Sequence, residues 1–100
     1  MIFRQLFDEV SYTYTYLLAS TTNREALLID PVNSKVEHYY RLLRELNVKL
    51  VKAIDTHCHA DHISALASLR DTTNCITVLG QKSAVDVVMF AAVRLRKIGS

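Results

Sequence analysis

Glycine and proline are scarce in this chain, with two Gly and one Pro in 100 residues. That scarcity excludes collagen-like and linker-like sequence. Tryptophan is absent, and the only cysteines are Cys58 and Cys75. Two cysteines are too few for the disulfide framework of a small secreted domain, so reduced thiols are expected. No long apolar run occurs either. The stretch from Ala84 to Val93 is broken by Asp86 and is too short to span a bilayer. Met1 to Val10 lacks the basic, apolar and small-residue order of a signal peptide. With Asp8 and Glu9 so early, it also lacks the acid-poor bias of a mitochondrial transit peptide. The expected compartment is the cytosol. Charge of one sign does not dominate: 12 Lys and Arg face 10 Asp and Glu, a net +2. The densest basic group, Arg94, Arg96 and Lys97, reads as a solvated strand end, and no nucleic-acid motif accompanies it. What is abundant is apolar surface, at 50% hydrophobic residues and a mean hydropathy of +0.12. That is enough to form a core and excludes disorder. The length suits one domain or part of one, and no linker or repeat divides residues 1–100.

Periodicity then assigns elements. Met1 to Phe7 reads as a strand. Ser11 to Ala19 reads as a stronger one, because Tyr12, Tyr14 and Tyr16 alternate with Thr13 and Thr15. The three tyrosines are expected to pack as one face of a sheet. Ser20 to Arg24 suits a hairpin turn and Ala26 to Ile29 a buried strand, ended by Asp30-Pro31. Ser34 and Glu37 form an S-x-x-E capping box that predicts a helix start. Val36, Tyr39, Tyr40, Leu43 and Leu46 continue it as one apolar stripe, with Asn47 as a left-handed end. Val48 to Ile54 alternates again, placing Leu50 and Ala53 near opposite faces. Asp61 to about Arg70 predicts a second helix with Ile63, Leu66 and Leu69 inward. Cys75 to Leu79 predicts another strand, with Cys75 as a buried small hydrophobe. Ser83 to Ile98 fits either a helix and a strand or two strands. The order predicts an α/β fold, a mixed sheet with helices packed on one face.

The chemistry concentrates in His57-Cys58-His59-Ala60-Asp61-His62, an H-x-H-x-D-H pattern preceded by Asp55-Thr56. It falls between a predicted strand and a predicted helix, at the carboxyl end of a strand, where α/β sheets bind their ligands. In an extended turn His57 and His59 project to one side and Cys58 to the other. His62 falls in the first helical turn. Asp61 is placed to cap the helix or to hold a second metal. Imidazoles with a carboxylate suit zinc or iron. The metal ligands are therefore expected among His57, His59, Asp61 and His62. Asp55 is expected to orient an imidazole N–H, with Thr56 beside it. His38 has no ligand-spaced neighbour and reads as an ordinary helix residue.

The motif resembles the metal loop of the metallo-β-lactamase superfamily. Four segments narrow the resemblance: Met1-Ile2-Phe3-Arg4-Gln5-Leu6-Phe7, Tyr12-Thr13-Tyr14-Thr15-Tyr16-Leu17-Leu18-Ala19, Ala26-Leu27-Leu28-Ile29-Asp30-Pro31-Val32 and Asp55-Thr56-His57. They resemble the persulfide dioxygenases (sulfur dioxygenases), relatives of hydroxyacylglutathione hydrolase, glyoxalase II. The match is good from Met1 to Gly80 and patchier from Gln81 to Ser100. The resemblance implies an αββα sandwich with the metal between the edges of the two sheets. It also implies one Fe²⁺ held by two His and one Asp, and oxidation of glutathione persulfide by O₂ to sulfite and glutathione. By position His57 resembles the first iron ligand. His59, Asp61 and His62 match the residues that add further ligands in two-metal relatives. In the one-iron dioxygenases they would stand around the iron or on the substrate side, where Asp61 and His62 are the catalytic candidates.

The family's Thr-Pro-Gly-His-type loop, with its second iron His, and its later ligand Asp have no match in these 100 residues. The chain is therefore expected to be the first half of a sandwich, with little dioxygenase turnover of its own. A glutathione-thioester hydrolase and a non-catalytic, truncated module holding Zn²⁺ weakly remain open as alternatives. An uncovered sheet face would also favour self-association. No membrane partner and no nucleic-acid partner is expected.

Overall fold

The computed structural model describes residues 1–56, 60–79 and 86–89, with the backbone alone for 60–64. Among these, the order is β1 (Ile2–Asp8), β2 (Thr13–Ala19), β3 (Glu25–Ile29), α1 (Val36–Leu46), β4 (Lys49–Asp55), α2 (Ala60–Thr73) and β5 (Ile76–Leu79). The strands form one sheet in the order β1-β2-β3-β4-β5. The first three are antiparallel neighbours, while β4 and β5 are added in parallel. A parallel neighbour requires the chain to be carried back across the sheet, which is what α1 and α2 do. The mixed α/β sheet expected from the sequence is present. Residues 57–59, 80–85 and 90–100 lie outside the described residues, and with them most of the ambiguous stretch from Ser83 to Ile98.

The main core lies between the sheet and the two helices. Leu17, Ala19, Ala26, Leu28, Leu50 and Ala53 of the strands meet Tyr39 and Leu43 of α1 and Leu66 and Leu69 of α2. Cys75 is buried in the same cluster, as its apolar surroundings predict. Tyr40 Oη donates to the Ser68 carbonyl at 3.3 Å, linking the two helices. On the opposite face Leu18 and Ile29 are fully buried, with Val87 and Val88 of a helical turn at 86–89 packed beside them. Among the described residues, the two long helices thus share one face, and residues 86–89 lie on the other.

The α1 stripe is as predicted, with Val36, Tyr39 and Leu43 buried. So is the end of α1: Asn47 takes φ 55° and donates its N–H to the Arg44 and Leu43 carbonyls. Arg24 completes this end by donating to the Asn47 and Leu46 carbonyls, so the last turn leaves few acceptors unmet. The start differs from the expected capping box. A short 3-10 turn at Asn33–Lys35 precedes the helix, and Lys35 is the capping residue, with no side-chain cap hydrogen bond. The Lys35 and Val36 N–H groups already donate to the Val32 and Asn33 carbonyls. Ser34 therefore has no open helix end to cap.

Two further differences have local causes. Leu50 and Ala53, expected near opposite faces, enter the same core cluster. The β3–β4 pairing shifts register between Ala26, opposite Leu50, and Leu27, opposite Lys52. Val51 is the extra residue, and one extra residue reverses the inside-outside phase of the strand. On β2 the alternation is as predicted, but the threonine is the buried partner. Thr15 is 1% exposed while Tyr14 is 48% exposed. Tyr12 lies outside the strand altogether, at φ 55°.

Candidate functional site

Strand direction gathers three carboxylates at one edge. β1 and β3 both run antiparallel to β2, and β4 runs parallel to β3. The carboxyl ends of β1, β3 and β4 therefore share an edge, and they carry Asp8, Asp30 and Asp55 there. All three are buried, at 5%, 1% and 1% exposure. Ionisable side chains are rarely buried without partners. The partners of Asp30 show its role. Its Oδ1 accepts the Thr56 N–H at 2.6 Å and the Thr56 hydroxyl at 2.8 Å. Its Oδ2 lies 2.6 Å from the same hydroxyl. Asp30 thus clamps the last residue before His57. Its φ of 58° turns the chain sharply at the end of β3, a conformation Asp tolerates better than most residues.

A buried relay supports this turn from behind. Thr15 Oγ1 donates to the Asp30 carbonyl at 2.7 Å. That uses the only hydroxyl hydrogen of Thr15, so the 3.0 Å contact between Thr15 and Tyr39 is a donation from Tyr39 Oη. Tyr39 Oη in turn accepts the Val32 N–H at 2.9 Å. Burial raises the Tyr39 hydroxyl above its ordinary 10.0, against the lowering effect of the Thr15 and Val32 bonds. The hydroxyl is therefore a fixed donor at neutral pH. Tyr39→Phe keeps the ring but strands a donor and an acceptor. The expected loss is about 1–2 kcal/mol, read as a lower urea midpoint at unchanged slope.

Asp8 holds the β1–β2 turn. Its Oδ2 accepts the Ser11 N–H at 3.0 Å and the Ser11 hydroxyl at 2.5 Å, and Lys35 Nζ lies 3.9 Å from Oδ1. The Ser11 hydroxyl is the largest cause that lowers its pKa below the ordinary 3.8. A carboxyl with a lower pKa when folded contributes stability that is full above about pH 4 and fades as pH falls through the folded value. Asp8→Asn is expected to be less stable than the parent at pH 7. The gap should narrow in denaturant titrations repeated toward pH 3.

On the helix side of this hairpin lies a cavity of about 460 Å³, lined among others by Asp8, Thr15, Lys35, His38, Tyr39 and Arg41. His38 is exposed and in edge contact with the Tyr39 ring, an ordinary helix residue as expected.

Of the sequence-predicted site residues, Asp55 and Thr56 stand at the end of β4, beside Asp30. The backbones of Asp61 and His62 lie in the first turn of α2, which begins at Ala60. Their side chains, and His57, Cys58 and His59 entirely, lie outside the described residues. Among the described residues no group of three His, Cys, Asp or Glu could hold a metal ion. The candidate ligands therefore remain those of the motif. The surroundings suit such a group: a strand end and a helix start frame the motif, and a buried carboxylate fixes its entry. Sequence reading missed Asp30, Thr15 and Tyr39. The available signal was an Asp-Pro at one strand end and an Asp-Thr at the next.

Comparison with known proteins decides the family. A family model described as the metallo-beta-lactamase superfamily matches residues 8–99. The chain belongs to this superfamily. It is 44% identical over 84 residues to the mitochondrial persulfide dioxygenase ETHE1 of Mus musculus, covering 83% of this chain and 33% of that protein. It is 32% identical over 73 residues to a hydroxyacylglutathione hydrolase of Crocosphaera subtropica, covering 73% of this chain and 28% of that one. The crystal structure of ETHE1 from Myxococcus xanthus superposes with a TM-score of 0.72 at 48% identity, over 77% of this chain and 34% of that chain. The matched stretch thus spans about a third of the superfamily relatives' length. Among the described residues no helix is long and apolar enough to cross a membrane.

Proposed function

We propose that this chain is the metal-loop layer of a persulfide dioxygenase, which oxidises glutathione persulfide with O₂ to sulfite and glutathione. The observation that carries the reading is the Asp30–Thr56 clamp. It sits directly before the H-x-H-x-D-H motif, in a stretch 44% identical to a persulfide dioxygenase. His57 would hold Fe²⁺, with His59, Asp61 and His62 beside it. An iron ion in a site with open positions supplies binding of O₂ and of a thiolate sulfur, and the one-electron chemistry between them. This chain's own residues fix the strand end from which the loop departs. Asp30 holds Thr56, Thr15 holds Asp30, and Tyr39 holds Thr15. Asp61 and His62, at the first turn of α2, would take or deliver the substrate's proton.

A thioester hydrolase is the second reading, favoured by the hydroxyacylglutathione hydrolase relative. It would use all four motif residues around two metals that activate a water. The two separate in one experiment on the purified protein, combining metal analysis with oxygen uptake on glutathione persulfide and hydrolysis of a glutathione thioester. Iron near one atom per chain, with sulfite formed one-for-one with O₂ consumed, supports the first. Two zinc atoms per chain with thioester cleavage overturns it. Metal retained without either turnover would assign the chain to metal binding alone, with the reaction requiring residues beyond those matched here.

A further inference from the structure

Asp30, Pro31 and Val32 carry the chain out of β3, and Pro31 has no N–H to give to the turn. Two other elements close it instead. The Val32 N–H donates to Tyr39 Oη at 2.9 Å, Tyr39 Oη donates to Thr15 Oγ1 at 3.0 Å, and Thr15 Oγ1 donates to the Asp30 carbonyl at 2.7 Å. The path starts at the N–H on one side of Pro31 and ends at the C=O on the other. It is a circuit around the proline, with the phenol oxygen at its middle. Every donor points the same way round, so each hydroxyl is polarised by the bond before it. Asp30, Thr15 and Tyr39 are each 1% exposed, so bulk solvent does not compete for these bonds.

The circuit sets the aim of a carboxylate. Asp30 holds φ 58°, a value that persists where the surroundings fix it. The Asp30 N–H donates to the Ile54 carbonyl of β4 at 2.7 Å, so the sheet fixes one side of the residue. The circuit fixes the other side at the Asp30 carbonyl. With both flanking peptide groups held, the direction of the Asp30 side chain is held as well. Its carboxylate then meets the Thr56 N–H and hydroxyl, directly before His57 of the motif. Tyr39 belongs to α1 and packs in the core between the sheet and the helices. A helix residue thereby governs the end of β4 through β2 and the turn after β3.

Resting on the metal-loop reading above, we infer that the Tyr39 hydroxyl is a positioning group for the metal site. It acts through Thr15, Asp30 and Thr56, by fixing the strand end from which the H-x-H-x-D-H motif departs. The ring alone does not do this. Phenylalanine fills the same core volume but opens the circuit at its middle, so the Val32 N–H loses its acceptor and Thr15 Oγ1 loses its donor. The Asp30 carbonyl is then held by a lone bond instead of a closed path. Removing a group that directly orients a metal ligand costs about 10–100-fold in metal affinity. Tyr39 stands further back, and a loss of about five- to tenfold is expected. Thr15→Val, which keeps the side-chain shape and removes the hydroxyl, opens the same circuit.

The test uses Co²⁺, whose visible absorption reports ligand geometry, titrated into the full 100-residue protein. Tyr39→Phe and Thr15→Val are each expected to weaken Co²⁺ binding about five- to tenfold and to change the visible bands. The double variant should fall no further than either alone, because both open one circuit. Thr15→Ser keeps the hydroxyl and should bind like the parent. So should Val36→Ala, which thins the buried stripe of α1 without touching the circuit and therefore reports loss of stability alone. A second measurement, amide exchange, needs no metal. Tyr39→Phe should raise exchange at Thr56 about tenfold more than at Leu28 of β3 and Ala53 of β4, whereas Val36→Ala should raise all three alike. If Tyr39→Phe does not fold, Thr15→Val carries both measurements. Co²⁺ binding in the parent that is unchanged in Tyr39→Phe and Thr15→Val overturns the inference and leaves the metal-loop reading standing. An equal loss in Val36→Ala, full additivity in the double variant, or uniform exchange in Tyr39→Phe also overturns it. A parent that binds no Co²⁺ overturns the metal-loop reading and this role with it.

Discussion

Asp30→Ala is expected to cost about 3 kcal/mol of folding stability. The substitution removes two charge-assisted hydrogen bonds to Thr56, each worth about 1.5–3 kcal/mol when the donor is left buried. It also leaves a residue with a β-carbon and no polar side chain at φ 58°, which adds about 1 kcal/mol. Partial relaxation of the turn keeps the total below the full sum. Asp30→Gly separates the two causes. It accepts the positive φ without strain, so it should recover the conformational part and none of the clamp. Urea titrations of the parent, Asp30→Ala and Asp30→Gly give the ordering directly. Equal stability of Asp30→Gly and the parent would show that the carboxylate contributes nothing. The same variants should retain less metal, since the clamp fixes the entry to the motif.

A second large effect is expected from the motif itself. Anything that binds only the folded state stabilises it by mass action, about 2.7 kcal/mol at a hundred times the dissociation constant. Adding Fe²⁺ or Zn²⁺ in that excess should raise the melting temperature of the parent by several degrees. His57→Ala with His59→Ala should abolish the rise while leaving the metal-free melting temperature nearly unchanged. A metal-dependent rise that survives in the double variant would remove these histidines from the ligand set. Cys58→Ser is the control, because Cys58 is not expected among the ligands.

How far the sequence was readable depended on the range of each signal. The Tyr39 and Leu43 stripe and the left-handed Asn47 are local, decided by residues within a turn of one another, and both appear as expected. The H-x-H-x-D-H motif stands out in the sequence because its spacing implies its chemistry, while its side chains lie outside the described residues. Ser34 misled because a capping box is a short pattern, and the backbone had already closed a 3-10 turn over it. Val51 gave no warning. A bulge is a property of two strands in register, and an extra valine looks like any other. Asp30 is the clearest case. An aspartate before proline reads locally as a strand end, and so it is. That it also clamps Thr56 depends on β3 and β4 lying side by side with their ends level, which no local pattern reports. The tyrosines of β2 show the converse: their alternation was right, but which side faces the core depended on Tyr39 reaching Thr15 from another element.

The relay from Tyr39 through Thr15 and Asp30 to Thr56 also bears on time. Its four members come from residues 15, 30, 39 and 56, held by β2, the turn after β3, α1 and the end of β4. None of its bonds can form until the strands are aligned, so the relay is completed late, after the slow non-local steps of folding. The reverse holds for opening. The Thr56 amide is bonded to a carboxylate buried at the end of the sheet, and it can exchange its hydrogen with solvent only when that end of the sheet separates. Loop amides commonly exchange within local fluctuations. The Thr56 amide should instead exchange at a rate near that of the β3 and β4 amides, so that the entry to the metal loop keeps the clock of the core.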